Sequence, residues 1–231
     1  VVRRTLFPAL VGIAAMALLA GCARDAVPSG ASSGPAVDPA YLLSQAKANA
    51  RAASSVHVRG TGQCDLGNFV VDMDLRKDGL GAGSVQVGGQ TIDLVSTHDA
   101  VFMHGARRFW LTQVAPADAD RIGSRWVKVA KGASPCLTAL SDYSLVMANY
   151  LDYPGTPTLL EGTSMLGTPA RLVGLGADVS IWVASSGTLL PVNVHDVSTN
   201  TDITWSAWSS DPAVVVPRAG TVVDGSTLSS S

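Results

Sequence analysis

The sequence predicts an α+β domain in which helices cover one face of an antiparallel sheet. Two observations predict this fold class. Apolar and polar residues alternate with a period of two in many short segments that end at glycine-containing turns. Helical periodicity is limited to a stretch near residue 45 and to the middle of the chain. The period-two alternation is typical of antiparallel strands that bury one face and expose the other.

The first helix is predicted over residues 41–54, where Leu42 and Leu43 begin an apolar side. Asp38 followed by Pro39 is a suitable start, because aspartate caps the free N–H groups and proline fits the first helical position. A short amphipathic helix is therefore expected to open the domain.

A helical insert is predicted in the middle of the chain. Residues 116–122 form a short helical turn, and a longer helix begins at Pro135 with Ser134 as its cap. The segment 152–155 ends this helix, because it contains proline and glycine. The insert separates two groups of strands.

The strands are predicted from alternation and turn chemistry. Gly88 and Gly89 between two alternating runs predict a two-residue hairpin. A turn at 105–108 leads into a further strand at 109–111. About five strands precede the helical insert and about four follow it. Residues 40–217 are expected to form one domain, and the small polar residues of 218–231 predict a disordered tail.

The first 22 residues have the features of a lipoprotein leader. Arg3 and Arg4 precede an apolar run that is too short to span a bilayer as a helix. The run ends in Leu19-Ala20-Gly21-Cys22, which resembles the bacterial lipobox. The resemblance implies a signal peptide over 1–21, cleavage before Cys22, and acylation of its sulfur. The protein is then extracytoplasmic and anchored to the cell membrane by lipid on Cys22, by either the Sec or the twin-arginine route.

Residues 22–39 are rich in Ser, Gly, Ala and Pro, which predicts a flexible tether behind the anchor.

The chain has 16 Lys and Arg residues against 18 Asp and Glu, and no basic stripe, so a nucleic-acid partner is not expected. The expected partner is the membrane, which the protein contacts through its lipid anchor. We expect the protein to be a monomer.

Two cysteines remain after Cys22, namely Cys64 and Cys136. An even pair in an exported protein usually forms a disulfide, and neither residue has a second Cys or a His at zinc-ligand spacing. We therefore expect a structural disulfide and no metal site.

The predicted domain lacks the familiar motifs for catalysis. The chain contains no His-Glu-x-x-His helix, and its Gly-x-Ser-x-Gly pattern at residues 30–34 lies in a Ser/Gly/Pro-rich stretch and not at a strand-to-helix turn. The four histidines fall in predicted strands or at their ends, and they are His57, His98, His104 and His195. Asp72 and Asp74 share the outward face of one strand, where carboxylates are normally just solvated. We expect no enzyme activity, no catalytic residue and no cofactor.

The element order and two short stretches, residues 52–62 and 123–132, resemble the actinobacterial lipoproteins of the LppX/LprG type. The layout is also similar to that of the periplasmic carrier LolA. These resemblances imply a strongly curved antiparallel sheet, an open half-barrel with helices packed across its concave face, and an apolar cavity for acyl chains. The first functional hypothesis is therefore a non-enzymatic protein that binds lipid or glycolipid or carries it between layers of the cell envelope.

The apolar residues of the predicted strands and the central helix are the candidates to line such a cavity. They are Phe69, Val71, Met73, Ile92, Leu94, Val101, Met103, Leu140, Met147, Val179 and Ile181. The same pattern is compatible with a filled core, because alternation does not distinguish packed side chains from a cavity. A filled core favours an anchored protein-interaction module, and a third possibility is an unrecognised hydrolase.

Overall fold

The computed structural model describes residues 37–229. In this part of the chain thirteen strands form one large, curled, mostly antiparallel sheet that is not closed, and five helices accompany it. The predicted α+β open half-barrel is therefore confirmed. The predicted signal peptide, Cys22 and the tether up to residue 36 lie outside the described residues and stay predictions.

The helices are α1 (Pro39–Ala52), α2 (Arg107–Trp110), α3 (Pro116–Ile122), α4 (Pro135–Leu140) and α5 (Tyr143–Leu151), with 3-10 turns at Ala219–Thr221 and Gly225–Thr227. The strands before the helical insert are β1 (Ser55–Cys64), β2 (Gly67–Arg76), β3 (Gly81–Val87), β4 (Gln90–Ser96), β5 (Ala100–Gly105) and β6 (Trp126–Ala130). The later strands are β7 (Pro157–Leu160), β8 (Ser164–Met165), β9 (Thr168–Leu175), β10 (Val179–Ala184), β11 (Pro191–Asp196), β12 (Thr201–Ser206) and β13 (Val222–Asp224).

The strand order across the sheet is β13-β6-β5-β4-β3-β2-β1-β12-β11-β10-β9-β7, and β8 pairs with β9 beside this path. Strands β1 and β12 pair in antiparallel fashion and join the earlier and later groups of strands. The pair of β6 and β13 is parallel. Strands β1–β5 and β9–β12 thus form two runs of hairpins on either side of one central pair, and β6, β13 and β7 extend the two edges.

The predicted hairpin at Gly88 and Gly89 joins β3 to β4, with φ angles of 55° and 71°. Positive φ at both positions defines the turn type that matches the twist of a two-residue hairpin, and glycine adopts it without steric cost. The local sequence therefore sets the register of this pair.

Helix α1 begins at Pro39, as the Asp38–Pro39 pair predicts, and its range of 39–52 lies two residues before the predicted 41–54. The Asp38 carboxylate accepts the N–H of Ala40 at 2.9 Å, which satisfies one of the free donors of the first turn. Leu42 and Leu43 are buried, and the helix packs on β7, β10 and β11. It covers the concave face of the later strands.

The single longer helix predicted after Ser134 is wrong, since two helices occupy this segment. Helix α4 ends at Leu140, and α5 begins after Asp142, whose carboxylate accepts the N–H groups of Ser144 and Leu145 at 2.9 and 3.2 Å. This second cap begins a separate helix, α5. The strand predicted at 109–111 is also corrected, because the four-residue helix α2 occupies residues 107–110.

The disordered tail predicted for 218–231 is corrected as well, for the described residues up to 229. Val223 is buried, and β13 pairs with Val127 and its neighbours on the open edge of β6. The Ser229 N–H donates to the Asp118 carboxylate at 2.7 Å, and the Ala115 N–H donates to the Ser229 carbonyl at 3.0 Å. Pairing with a distant edge strand orders this segment despite its polar sequence.

Candidate functional site

The middle of the concave face is filled with side chains. Ten of the eleven residues predicted to line a cavity belong to the main apolar core, and Val179 packs against it. Five of them have no exposed surface, so no water-sized space adjoins them: Val71, Met73, Ile92, Leu94 and Ile181. In this region the apolar faces of the helices meet the sheet directly. That these five residues contact a ligand stays a prediction.

A pocket of about 220 Å³ lies at one end of the half-barrel, beside β5 and β6. Among the eleven predicted residues, Met103 lines it. Phe69 and Met147 border two shallower grooves at the surface. The residues around the pocket are Leu66, Met103, Phe109, Trp110, Gln113, Val114, Val127, Val129, Ala133, Ser134, Leu137, Gly225 and Leu228.

The floor of the pocket comes from two neighbouring strands. Met103 of β5 lies opposite Val127 of β6 in the sheet register. Val127 and Val129 point inward because they are two residues apart on one strand, while Lys128 between them is exposed. The alternation of β6 thus supplies two branched apolar side chains to the floor.

Helix α2 forms one wall. The rings of Phe109 and Trp110 meet edge to face at 4.9 Å, and the Trp110 indole N–H donates to the Gly105 carbonyl at 3.1 Å. A side chain at Gly105 would come within 3.2 Å of the Phe109 ring, so glycine allows the helix to fold tightly against β5. A hydrogen-bonded aromatic pair therefore fixes this wall.

The β1–β2 turn and helix α4 form two further walls, and the cysteine pair connects them. The Cys64 and Cys136 sulfurs lie at disulfide-bonding distance, 2.13 Å, with Cα atoms 5.8 Å apart. Leu66 follows Cys64 in the β1–β2 turn, and Leu137 follows Cys136 on α4, and both line the pocket. Two bonded sulfurs offer no thiolate to a metal, although the Asp65 carboxylate lies beside them. The pair therefore serves to hold α4 against the first hairpin.

The pocket is chemically simple. Of the described residues that line it, none has an ionisable side chain, and its polar side chains are Gln113 and Ser134. Ser134 occupies the N-cap position of α4, as predicted, but its hydroxyl makes no capping hydrogen bond with any described residue. Gln113 is exposed, so it lies where the pocket meets solvent. The arrangement can bury an apolar group and donate hydrogen bonds at its mouth.

Charged groups near α4 and α5 stabilise the helices instead of lining the pocket. Burial would raise the pKa of Asp142, but the Lys131 ammonium 2.6 Å away and the N–H groups of α5 lower it below its ordinary value. Burial raises the pKa of Tyr143 to about 12. The Tyr143 hydroxyl donates to the Ala50 carbonyl and thereby joins α5 to the end of α1.

The histidines lie away from the pocket. His57 is on the outer face of β1, with its ring nitrogens 2.9 Å from Asp74 and 3.5 Å from Asp72. His104 and His195 make similar cross-strand pairs, at 3.2 Å to Asp93 and 3.4 Å to Asp202, and His98 is exposed beside Asp99. The predicted surface position of the histidines is confirmed, and Asp72 and Asp74 act as partners of His57.

Sequence reasoning missed most of the pocket lining. Phe109, Trp110 and Leu228 fall in a predicted strand and a predicted tail, and Leu66 falls in a turn. The adjacent aromatic residues at 109 and 110 were the available signal, because such pairs are costly to expose. The others come together through tertiary contacts that local patterns do not encode.

Comparison with known proteins supports the fold. No protein-family model and no curated protein matches the chain. Among solved structures, the chain is similar to LprF from Mycobacterium bovis, with a TM-score of 0.53 and 16% sequence identity over 78% of this chain and 96% of that chain. The fold is that of the LppX/LprG-type lipoproteins. Within the described part of the chain, no helix combines the length and apolar character needed to cross a bilayer.

Proposed function

We propose that this protein is an exported lipoprotein, anchored to the cell membrane through Cys22, that binds lipid or glycolipid without catalysing a reaction. The observation that supports this proposal most directly is the pocket itself, which is lined mainly by apolar side chains and, among its described residues, by no ionisable group. An acyl chain that enters such a pocket removes apolar surface of the chain and of the pocket from water, which favours binding.

The size of the pocket suggests how a ligand is held. A volume of about 220 Å³ exceeds the roughly 150 Å³ that accommodates benzene in an engineered cavity, but it is below the roughly 300 Å³ of smaller ligand sites. It fits a segment of one acyl chain, and each buried methylene contributes about 0.8 kcal/mol. A larger lipid needs movement of a wall.

The mouth of the pocket suits a polar head group. Gln113 can donate and accept hydrogen bonds. The Ser134 hydroxyl makes no capping hydrogen bond to the described residues of α4. Both fit the hydroxyl or carbonyl groups of a glycerolipid or glycolipid. The absence of lining charge, among the described residues, favours a neutral head group over a phosphate.

Replacing two alanines by tryptophan, one inside the pocket lining and one outside it, tests whether lipid binds in the pocket. Ala133 is exposed and lines the mouth, whereas Ala130 is exposed on β6 and does not belong to the described lining. Ala133→Trp is expected to weaken binding of a fluorescent palmitate analogue at least about tenfold, since a large ring takes up space inside the mouth of the pocket, and Ala130→Trp should leave affinity unchanged. Equal affinities of both variants and the wild type would place the lipid elsewhere.

The anchor has its own test. Replacing Cys22 by serine should move the protein from the membrane to the soluble extracytoplasmic fraction, because the sulfur that carries the acyl groups is lost. Mass spectrometry of the mature wild type should find acylated Cys22 at its N-terminus. A different N-terminus, or a sulfur without fatty acid, would refute the anchor.

The second candidate, an anchored protein-interaction module, is favoured by the surface around β7. Leu159, Leu160 and Leu166 are 42%, 44% and 70% exposed at this edge of the sheet. A protein partner bound along this edge would bury them. Cross-linking in intact cells should then capture a partner with the wild type and lose it with Leu160→Ser and Leu166→Ser together.

A further inference from the structure

Residues 222–229, here named the strap, close one side of the pocket. The strap contains β13 and the following 3-10 turn, and its residues Gly225 and Leu228 line the pocket. Leu228 also packs against the main apolar core. A leucine side chain from the strap therefore stands next to the space in which an acyl chain would lie.

The strap is held by few contacts. Its strand is three residues long and pairs in parallel with β6, which is the weaker kind of ladder. Beyond the strand, the Arg121 guanidinium donates to the Thr227 carbonyl at 2.9 Å, and the Ser229 N–H donates to the Asp118 carboxylate at 2.7 Å. Arg121 and Asp118 pair with each other at 3.0 Å on α3. The Ser229 carbonyl also accepts the Ala115 N–H at 3.0 Å, and Val223 is the one buried residue among residues 222–229. Exposed polar contacts add little stability, so release of the strap costs mainly the β13 ladder and the burial of Val223 and Leu228, and the rest of the sheet can stay folded.

Gly225 allows the strap to lie flat on β6. A Cβ atom there would come within 2.8 Å of the Lys128 carbonyl oxygen and of the Val129 side chain, and Val129 also lines the pocket. Glycine is therefore required for close approach at this point. At Gly220, just before the strap, no described atom lies within 4 Å of the position a Cβ would take.

We propose that the strap is a releasable gate of the acyl pocket, with Leu228 covering the side through which a long chain enters. This inference rests on the proposed function, because it assigns the gate of that same pocket. In the closed state the strap limits the pocket to the volume seen here. Its release extends the pocket past β6 and admits a chain that the closed state excludes.

Two glycine variants of the full-length protein test the gate. Gly225→Val should detach the strap by steric conflict with β6, and Gly220→Val is the matched control. Hydrogen exchange of the strap amides, without ligand, reports whether the strap is attached. Stopped-flow mixing with the fluorescent palmitate analogue reports the association rate and the affinity.

We expect fast exchange in Gly225→Val and an increase of about tenfold in both association rate and affinity, if about one wild-type molecule in ten is open. Gly220→Val should behave as the wild type. A detached strap with unchanged association overturns the gate and leaves lipid binding intact. If neither the wild type nor Gly225→Val binds the analogue, the proposed function fails and the gate fails with it.

A second variant guards against misfolding of Gly225→Val. Leu228→Ala keeps the backbone contacts of the strap and removes only the side chain that faces the pocket. We expect tighter binding of the analogue with strap exchange close to that of the wild type. Weaker or unchanged binding would show that Leu228 does not obstruct the chain, and would overturn the inference.

Discussion

Two regions of the half-barrel differ in what covers the sheet. In the sealed region, strands β7, β10 and β11 lie under the 14-residue helix α1, and the inward residues Ile181 and Val194 have no exposed surface. In the pocket region, β5 and β6 are covered by α2, α4 and the strap, whose helical segments are four, six and three residues long. A continuous helix fills the concave face, and short elements leave a gap.

This difference explains how one sheet can have a region that stabilises the fold and a separate region that binds a ligand. A long capped helix presents a continuous apolar stripe, which interdigitates with the strands beneath it. Helices of one or two turns are not stable alone and depend on cross-links and individual side chains. The pocket region is therefore the part of the molecule in which local opening costs least.

Loss of the disulfide should have the largest effect. Replacing Cys64 and Cys136 by serine removes a link across 72 residues, and the chain-entropy estimate is roughly 4 kcal/mol of unfolding free energy. Urea unfolding measures it. The comparison predicts that faster hydrogen exchange in the native state is concentrated in α4 and the β1–β2 turn. Uniform loosening, with α1 exchanging as fast as α4, would contradict it.

Truncations in the two regions should have different consequences. Ile181→Ala in the sealed region and Leu137→Ala in the pocket region each remove a buried side chain, which costs about 2–5 kcal/mol. Both should lower stability in urea, but only Leu137→Ala should change the affinity for the palmitate analogue. A change in affinity with Ile181→Ala would mean that the ligand reaches the filled centre.

Asp142 should contribute less, and its contribution depends on pH. Asp142→Asn keeps a side chain that can cap α5 but loses the ion pair with Lys131, so a loss of about 1 kcal/mol is expected at neutral pH. Because the folded-state pKa of Asp142 is lowered, its stabilisation is present above about pH 4 and is lost as the pH falls through the folded-state value. The difference from the wild type, measured in urea from neutral to acid pH, should shrink below about pH 4. A difference that grows in acid would contradict the lowered pKa.

Tyr143→Phe should have a similarly small effect, about 1 kcal/mol, because it removes the hydroxyl that donates to the Ala50 and Ala53 carbonyls and leaves these carbonyls without that donor. The pKa of Tyr143 is raised to about 12, so its stabilisation is present below about pH 10 and is lost towards pH 12. Thermal unfolding of both proteins at neutral and alkaline pH measures the difference. An alkaline difference equal to the neutral one would contradict the burial of the hydroxyl.

Local patterns predict much of the fold, and particular residues show where they stop. Asp38 before Pro39 and the glycines at 88 and 89 act through neighbouring backbone atoms, so their effects are visible in the sequence. Residues 222–224 gain their structure from β6, which is nearly a hundred residues earlier in the chain. The predicted tail was wrong because an edge strand elsewhere determines its conformation.

The candidate site was harder to predict than the fold. Met103 and Ile181 are both apolar residues of alternating strands, yet Met103 borders the pocket and Ile181 is fully enclosed. Alternation assigns each to the concave face, but elements that are distant in sequence decide whether space remains beside it. The break at Asp142, where a second cap replaces a continuous helix, is one feature of these covering elements that the periodicity did not predict.

Mass spectrometry of organic extracts from the wild-type protein, purified from native membranes beside Ala133→Trp and Ala130→Trp, tests the central claim most directly. The account predicts one defined acyl lipid, beyond the anchor on Cys22, in the wild type and in Ala130→Trp, with clear depletion in Ala133→Trp. Extracts that contain no such lipid in any of the three proteins would contradict lipid binding and leave the interaction module as the better description.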